Sequence, residues 1–177
     1  METQQIILLV INIIGGAAVI GSYVYGLRTY PEGAGTLWGG VPASIRLIYG
    51  ISMILAALGY FAFIYFILFR LAPGDVIIAD RFGYSLFYAI FLVILIPSIF
   101  WMPFTHAYIG SSGSGMWLGI RTVLALVGIA SIALVWALLS LGMKLPSVPY
   151  WFAVTGSAYF AFHTVILDAI IWPALFK

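Results

Sequence analysis

Five stretches of this 177-residue chain each run for more than twenty residues almost without charge. They cover about residues 6–27, 47–69, 84–109, 118–143 and 151–176. A bilayer core of roughly 30 Å is crossed by about 20 mostly apolar helical residues, so each stretch is long enough to span it. None alternates in polarity with period two, as a barrel strand does. Lipid offers no hydrogen bonds to backbone groups, so the stretches are expected as helices. The fold class that follows is all-α. It is a polytopic membrane protein, a bundle of five transmembrane helices forming one membrane domain over residues 1–177.

Composition excludes most alternatives. Hydrophobic residues make up 64% of the chain and charged ones 7%, against about 25% charged in a soluble domain. Seven Lys and Arg residues scattered along the chain form no phosphate-tracking stripe, which excludes nucleic acid as a partner. The chain contains no cysteine, so disulfides, thiolate metal sites, iron–sulfur clusters and a cysteine nucleophile are excluded too.

The connections carry turn chemistry. Residues 28–45 hold Pro31 and Pro42 with Gly33, Gly35, Gly39 and Gly40; residues 72–83 hold Pro73-Gly74-Asp75 and Asp80-Arg81. Residues 110–115 form a Gly/Ser run, and residues 144–150 include Pro146 and Pro149. These are loop signals, and the loops are too short for a soluble domain. Glu2 before the first stretch, and that stretch's length, argue for a retained helix rather than a signal peptide. Five crossings put the termini on opposite sides. Arg28, Arg46, Arg121 and Lys177 then fall on the C-terminal side, here called side A, and Arg70, Arg81 and Lys144 on side B. The near-even split leans only slightly toward a cytoplasmic side A.

A gapless internal likeness aligns Tyr88, Phe91, Ile99, Phe100 and Trp101 with Tyr159, Phe162, Ile170, Ile171 and Trp172. Ile45-Arg46 similarly matches Ile120-Arg121. Both suggest one leading helix followed by two repeated hairpins, although aromatic-rich helices share such residues by chance.

An ionisable group inside lipid costs roughly 2.5–3.5 kcal/mol on insertion scales and is a functional-site hypothesis by default. Asp168 is the one acid well inside a stretch, and His163 lies mid-stretch before it. Five residues apart, they stand about 140° around an α-helix and share no face, whereas Thr164 and Asp168 do. Topology puts Arg46, Arg121, His106 and Asp168 in the side-A half. Two readings stay open. In one, Arg46 or Arg121 pairs with Asp168 in a polar cluster walled by Tyr49, Trp101 and Trp172. In the other, both arginines snorkel to headgroups and Asp168 bonds to backbone or to Thr164.

His163 reads as a helix-to-helix hydrogen-bonding residue. His106 lies near the interface rather than at its depth, which fits bis-histidine haem poorly. No metal-ligand set, phosphate loop, Ser/His/Asp spacing or carboxylate pair is present, so no catalytic or metal site is assigned and no cofactor is named. Asn12 reads as interhelical glue. Small residues at four-residue spacing (Ala18, Ser22, Gly26 and Ala153, Ser157, Ala161) predict close helix contacts. Pro97 and Pro103 predict a third helix kinked or ended early. Trp38, Trp117, Tyr150 and Trp151 read as interfacial anchors. Tyr60, Phe61, Phe63, Tyr65, Phe66, Tyr159, Phe160 and Phe162 either line a site for a flat apolar ligand or face lipid.

Val148-Pro149-Tyr150 opening the fifth stretch, and Phe87-Tyr88-Ala89 and Trp101-Met102-Pro103 in the third, resemble the translocator-protein (TspO/MBR) family of tryptophan-rich sensory proteins. The likeness needs an insertion of about one turn in the third helix. The family's paired prolines after the tryptophan are reduced to Pro42, its fifth-helix asparagine falls on Ala161, and its third-helix polar pair on Phe91 and Leu95. The resemblance implies a five-helix bundle binding porphyrins or sterol-like molecules.

The leading functional reading is a non-enzymatic membrane protein holding an apolar or aromatic small molecule (lipid, sterol-like or tetrapyrrole) within the bundle. Its site set is Arg46, Tyr49, Trp101, His106, Arg121, His163, Asp168 and Trp172. The alternatives are an accessory subunit of a membrane complex and, less favoured, an intramembrane enzyme or proton carrier using Asp168 and His163. The partners admitted are the bilayer, an apolar small molecule, and a second copy or other membrane subunits.

Overall fold

The computed structural model describes residues 1–29, 33–142 and 147–176. Pro31, Met143, Lys144, Pro146 and Lys177 lie outside the described residues. Five helices are long and apolar enough to cross a membrane: α1 (Thr3–Thr29), α2 (Ala43–Phe69), α3 (Leu86–Ser111), α4 (Ser114–Leu139) and α5 (Val148–Leu175). Their outer faces carry exposed Ile14, Leu58, Leu118 and Ile129, as lipid contact requires.

The helix ends follow local chemistry. Pro42 precedes α2 and its carbonyl accepts the N–H groups of Ile45 and Arg46. At the end of α3, Ser112 takes a left-handed φ of 48° and returns its N–H to Tyr108. The Ser147 hydroxyl caps α5 by accepting from the Tyr150 N–H, with a proline in the first turn where no donor is missed. Pro97 and Pro103 were expected to kink or end the third helix. They do not end it: the helix continues through both to Ser111, since a proline is tolerated in lipid where neighbouring groups make up the lost bond.

Packing order is more informative than sequence order. The two most extensive interfaces are α3 with α4 and α2 with α5; α4 also packs on α5, and α1 leans on α3. Contact between α1 and α2 is slight. Exchanging the hairpins α2–α3 and α4–α5 turns the α2–α5 interface into α4–α3, which is the pattern two related hairpins would make. The counterpart of the α4–α5 contact, between α2 and α3, is instead opened.

Toward side B the bundle is solid, around Phe63, Phe66, Tyr84, Phe87, Phe91 and Leu134. There Gln5 of α1 donates to the Leu68 and Leu71 carbonyls at the end of α2 (2.8 and 3.1 Å), answering acceptors a helix C-terminus leaves open. A side-B loop closes that end, with Ala79 N–H on the Ser140 carbonyl and Gly142 N–H on that of Ile77. A smaller cluster on side A gathers Val41, Tyr49, Ile120, Leu167, Trp172 and Phe176.

Of the small-residue faces, Ala153, Ser157 and Ala161 are buried within the bundle, while on α1 only Gly26 is fully covered, against Met102 and His106. One close helix approach lies outside those stripes: a Cβ on Gly156 would lie 2.8 Å from Gly59 Cα. Gly156→Leu should therefore destabilise the bundle by about 1–3 kcal/mol, read as a lower melting temperature in detergent, whereas Gly21→Leu, with no neighbour within 4 Å, should leave it unchanged. The cysteine-free chain also allows direct mapping: cysteines placed at Arg46 and Arg121 should label from one face of sealed vesicles, and those at Arg70 and Arg81 from the other.

Candidate functional site

Where the α2–α3 contact opens, a cavity of about 790 Å³ is lined by residues from all five helices. It extends from the middle of the bundle toward side A. The wall includes Asn12, Val19 and Tyr23 of α1; Tyr49, Ala56 and Tyr60 of α2; Ile94 and Trp101 of α3; Val127 of α4; and Phe160, His163, Asp168 and Trp172 of α5. Ile20, Met53 and Phe61 line it too and are exposed on the outer face, so its mouth lies between α1 and α2 and faces lipid.

The segment Leu37–Trp38 roofs the side-A end. Trp172 Nε1 donates to the Leu37 carbonyl at 3.0 Å. Gly39, at φ +49°, lies so close to Phe176 that a Cβ would sit 2.2 Å from its carbonyl oxygen, which only glycine permits. Trp38 packs edge-on against Tyr49, and Trp101 stacks on Tyr23 and meets Trp172 edge-on, at centroid separations of 5.5–5.6 Å. The Trp101 Nε1–H is buried and has no hydrogen-bond partner among the described residues, an unmet donor of the kind an ordered water or a bound acceptor relieves.

The polar end of the cavity departs from the expected geometry. Residues His163–Ile171 form a π-helix. An i→i+5 ladder brings residues five apart onto one face, so His163 and Asp168, expected on different faces of an α-helix, meet with Nε2 3.5 Å from Oδ2. Pro173 follows the segment, and its missing N–H prevents regular closure of the ladder there. Thr164 is not on Asp168: its hydroxyl pairs with Ser131 (2.8 Å) and with the Phe160 carbonyl.

Two residues outside the predicted set complete the network. Tyr159 donates to Ser52 Oγ (3.1 Å), and Ser52 lies 2.9 Å from His163 Nδ1. The Ser52 proton has no other acceptor among the described residues, which leaves Nδ1 as acceptor and places the imidazole proton on Nε2, toward Asp168. Ser, His and Asp are thus in one chain, yet buried Ser52 does not line the cavity; no substrate there reaches its hydroxyl. The signal for Ser52 was present, since it is the one non-aromatic polar side chain in residues 47–69.

Neither arginine reaches Asp168. Arg46 Nε donates to the Val41 carbonyl (2.9 Å) with its guanidinium over Trp38 at 5.9 Å, and Arg121 is exposed. Remaining at the interface avoids drawing a guanidinium into apolar surroundings. His106 is buried against Gly26 and is not part of the cavity wall. Tyr49, Trp101, His163, Asp168 and Trp172 are brought together; Arg46, Arg121 and His106 are not. Among the described residues no group of three or more His, Cys, Asp or Glu could hold a metal. Asn12 accepts from the Tyr60 hydroxyl, linking α1 to α2 across the cavity's inner end.

The helices and composition define a multi-pass integral membrane protein. Compared with protein-family models, with curated proteins and with solved structures, the chain matches none of them.

The hydrogen-bond direction is testable by ¹⁵N NMR. His163 should show the Nε2–H tautomer, and Ser52→Ala should shift its Nδ1 resonance while leaving His106 unchanged.

Proposed function

We propose that the protein is a non-enzymatic binder of an apolar or aromatic small molecule, of lipid, sterol-like or tetrapyrrole size, which enters from the bilayer between α1 and α2. The observation that carries this reading is the 790 Å³ cavity with walls from all five helices. Ligand sites typically measure about 300–1,000 Å³ and combine apolar walls with few polar groups, and packed interiors leave few voids larger than a water molecule. Its aromatic walls offer flat faces, and Asp168, whose side chain is 32% exposed, supplies an acceptor in the wall. The likeness to the translocator-protein family points the same way.

The chain Tyr159–Ser52–His163–Asp168 favours a second reading, proton carriage. It has less support, because no hydrogen-bonded exit toward side B continues from Tyr159 among the described residues.

Extraction in mild detergent followed by native mass spectrometry should retain one hydrophobic molecule per chain. Ala57→Trp, which fills the mouth from α2, should cut its occupancy at least tenfold with the melting profile preserved. Equal occupancy in both proteins would place the molecule elsewhere and sink the proposal.

A further inference from the structure

We infer that the ligand's polar end is a protonated amine, seated on Asp168 among the aromatic rings at the side-A end; this rests on the cavity-binding reading. Among the described residues, Asp168 is the only acid in the cavity wall, and no Lys or Arg lines it. Its one ion-pair partner among the described residues is His163, at a loose 3.5 Å. With the Ser52 hydroxyl donating to Nδ1 the imidazole is the neutral Nε2–H tautomer, and among the described residues no Lys or Arg lines the cavity to face the carboxylate. A carboxylate in low-dielectric surroundings without a cation is costly, and a cation arriving with the ligand removes that cost.

The rings reinforce the preference. Tyr23, Trp38, Tyr49, Trp101 and Trp172 line the same cavity as Asp168 and pack on one another at its side-A end. Aromatic faces attract ammonium groups. An anionic head would meet Asp168 without a basic residue among the described ones to receive it, and a hydroxyl would gain one hydrogen bond but neither Coulombic attraction nor the pull of the rings. The apolar body then runs along Ala56, Val19 and Ile94 toward the middle of the bilayer.

The test uses the full chain in phosphatidylcholine nanodiscs at pH 7, with empty discs as the baseline for partitioning. Two matched probes are titrated by calorimetry: a naphthylalkyl dimethylamine and its neutral isostere with isopropyl in place of dimethylamino. The amine should bind at least tenfold more tightly, and Asp168→Asn should abolish that difference while leaving the isostere's Kd unchanged. Equal Kd values in the wild-type protein overturn the amine assignment and leave the cavity reading standing. Failure of both probes to bind overturns both. A preference that persists undiminished in Asp168→Asn overturns Asp168 as the counter-ion. If that variant does not fold, the wild-type pair of probes still decides for or against the amine.

Discussion

A polar atom inside lipid has no water to turn to, and most of this bundle can be read as the answers to that constraint. Gln5 satisfies the open carbonyls at the end of α2, Tyr84 donates to the Ile67 carbonyl, and Tyr150 donates to that of Leu138. Ser131 and Thr164 pair with one another where α4 meets α5. Asn12 divides its amide between its own helix and Tyr60. Each is a local solution made by one or two neighbours. Asp168 is different: among the described residues it has a single loose partner, and it stands in a cavity wall. With the buried Trp101 N–H, which has no partner among the described residues, it is one of two groups that the local solutions leave under-satisfied, and both lie at the side-A end.

Much of the architecture was legible in the sequence, because hydropathy over twenty or more residues is a summed signal that no single residue can reverse. Five spans, short loops and one membrane domain follow from it, with helix ends displaced by a few residues where caps such as Ser147 and Pro42 intervene. The site was only partly legible. Tyr49, Trp101, Asp168 and Trp172 line one cavity, as residues at similar depth along their spans can, since depth follows from counting along a span. Lateral position does not. Tyr60, Phe61 and Phe160 line the cavity, Phe63 and Phe66 fill the core, and Tyr65 and Phe162 face outward, yet all are aromatics within spans.

The His163–Asp168 contact was hidden for a sharper reason. An α-helical wheel assigns those residues to different faces, and the π-helix changes the wheel itself. The arginine pairing failed on a competing free energy: at the interface Arg46 finds a carbonyl and a tryptophan face without leaving the headgroup region, so Asp168 offers it too little to offset desolvation.

The position of the cavity follows from how the helices pair. With α2 committed to α5 and α3 to α4, the remaining contact between α2 and α3 is the one that has to give, and α1 occupies the resulting gap only in part. That helix is held at both ends and across its middle, but mostly from α3: Gly26 sits against Met102 and Gly15 against Leu95, whereas α2 reaches it through Gln5 near side B and Asn12 further in. Beyond Asn12 toward side A no hydrogen bond ties α1 to α2 among the described residues. The seam therefore opens on the side-A half, and it opens on lipid, because both of its edges carry apolar side chains. A hollow built this way opens on the bilayer rather than on water, and its inner end is fixed by the solid side-B core.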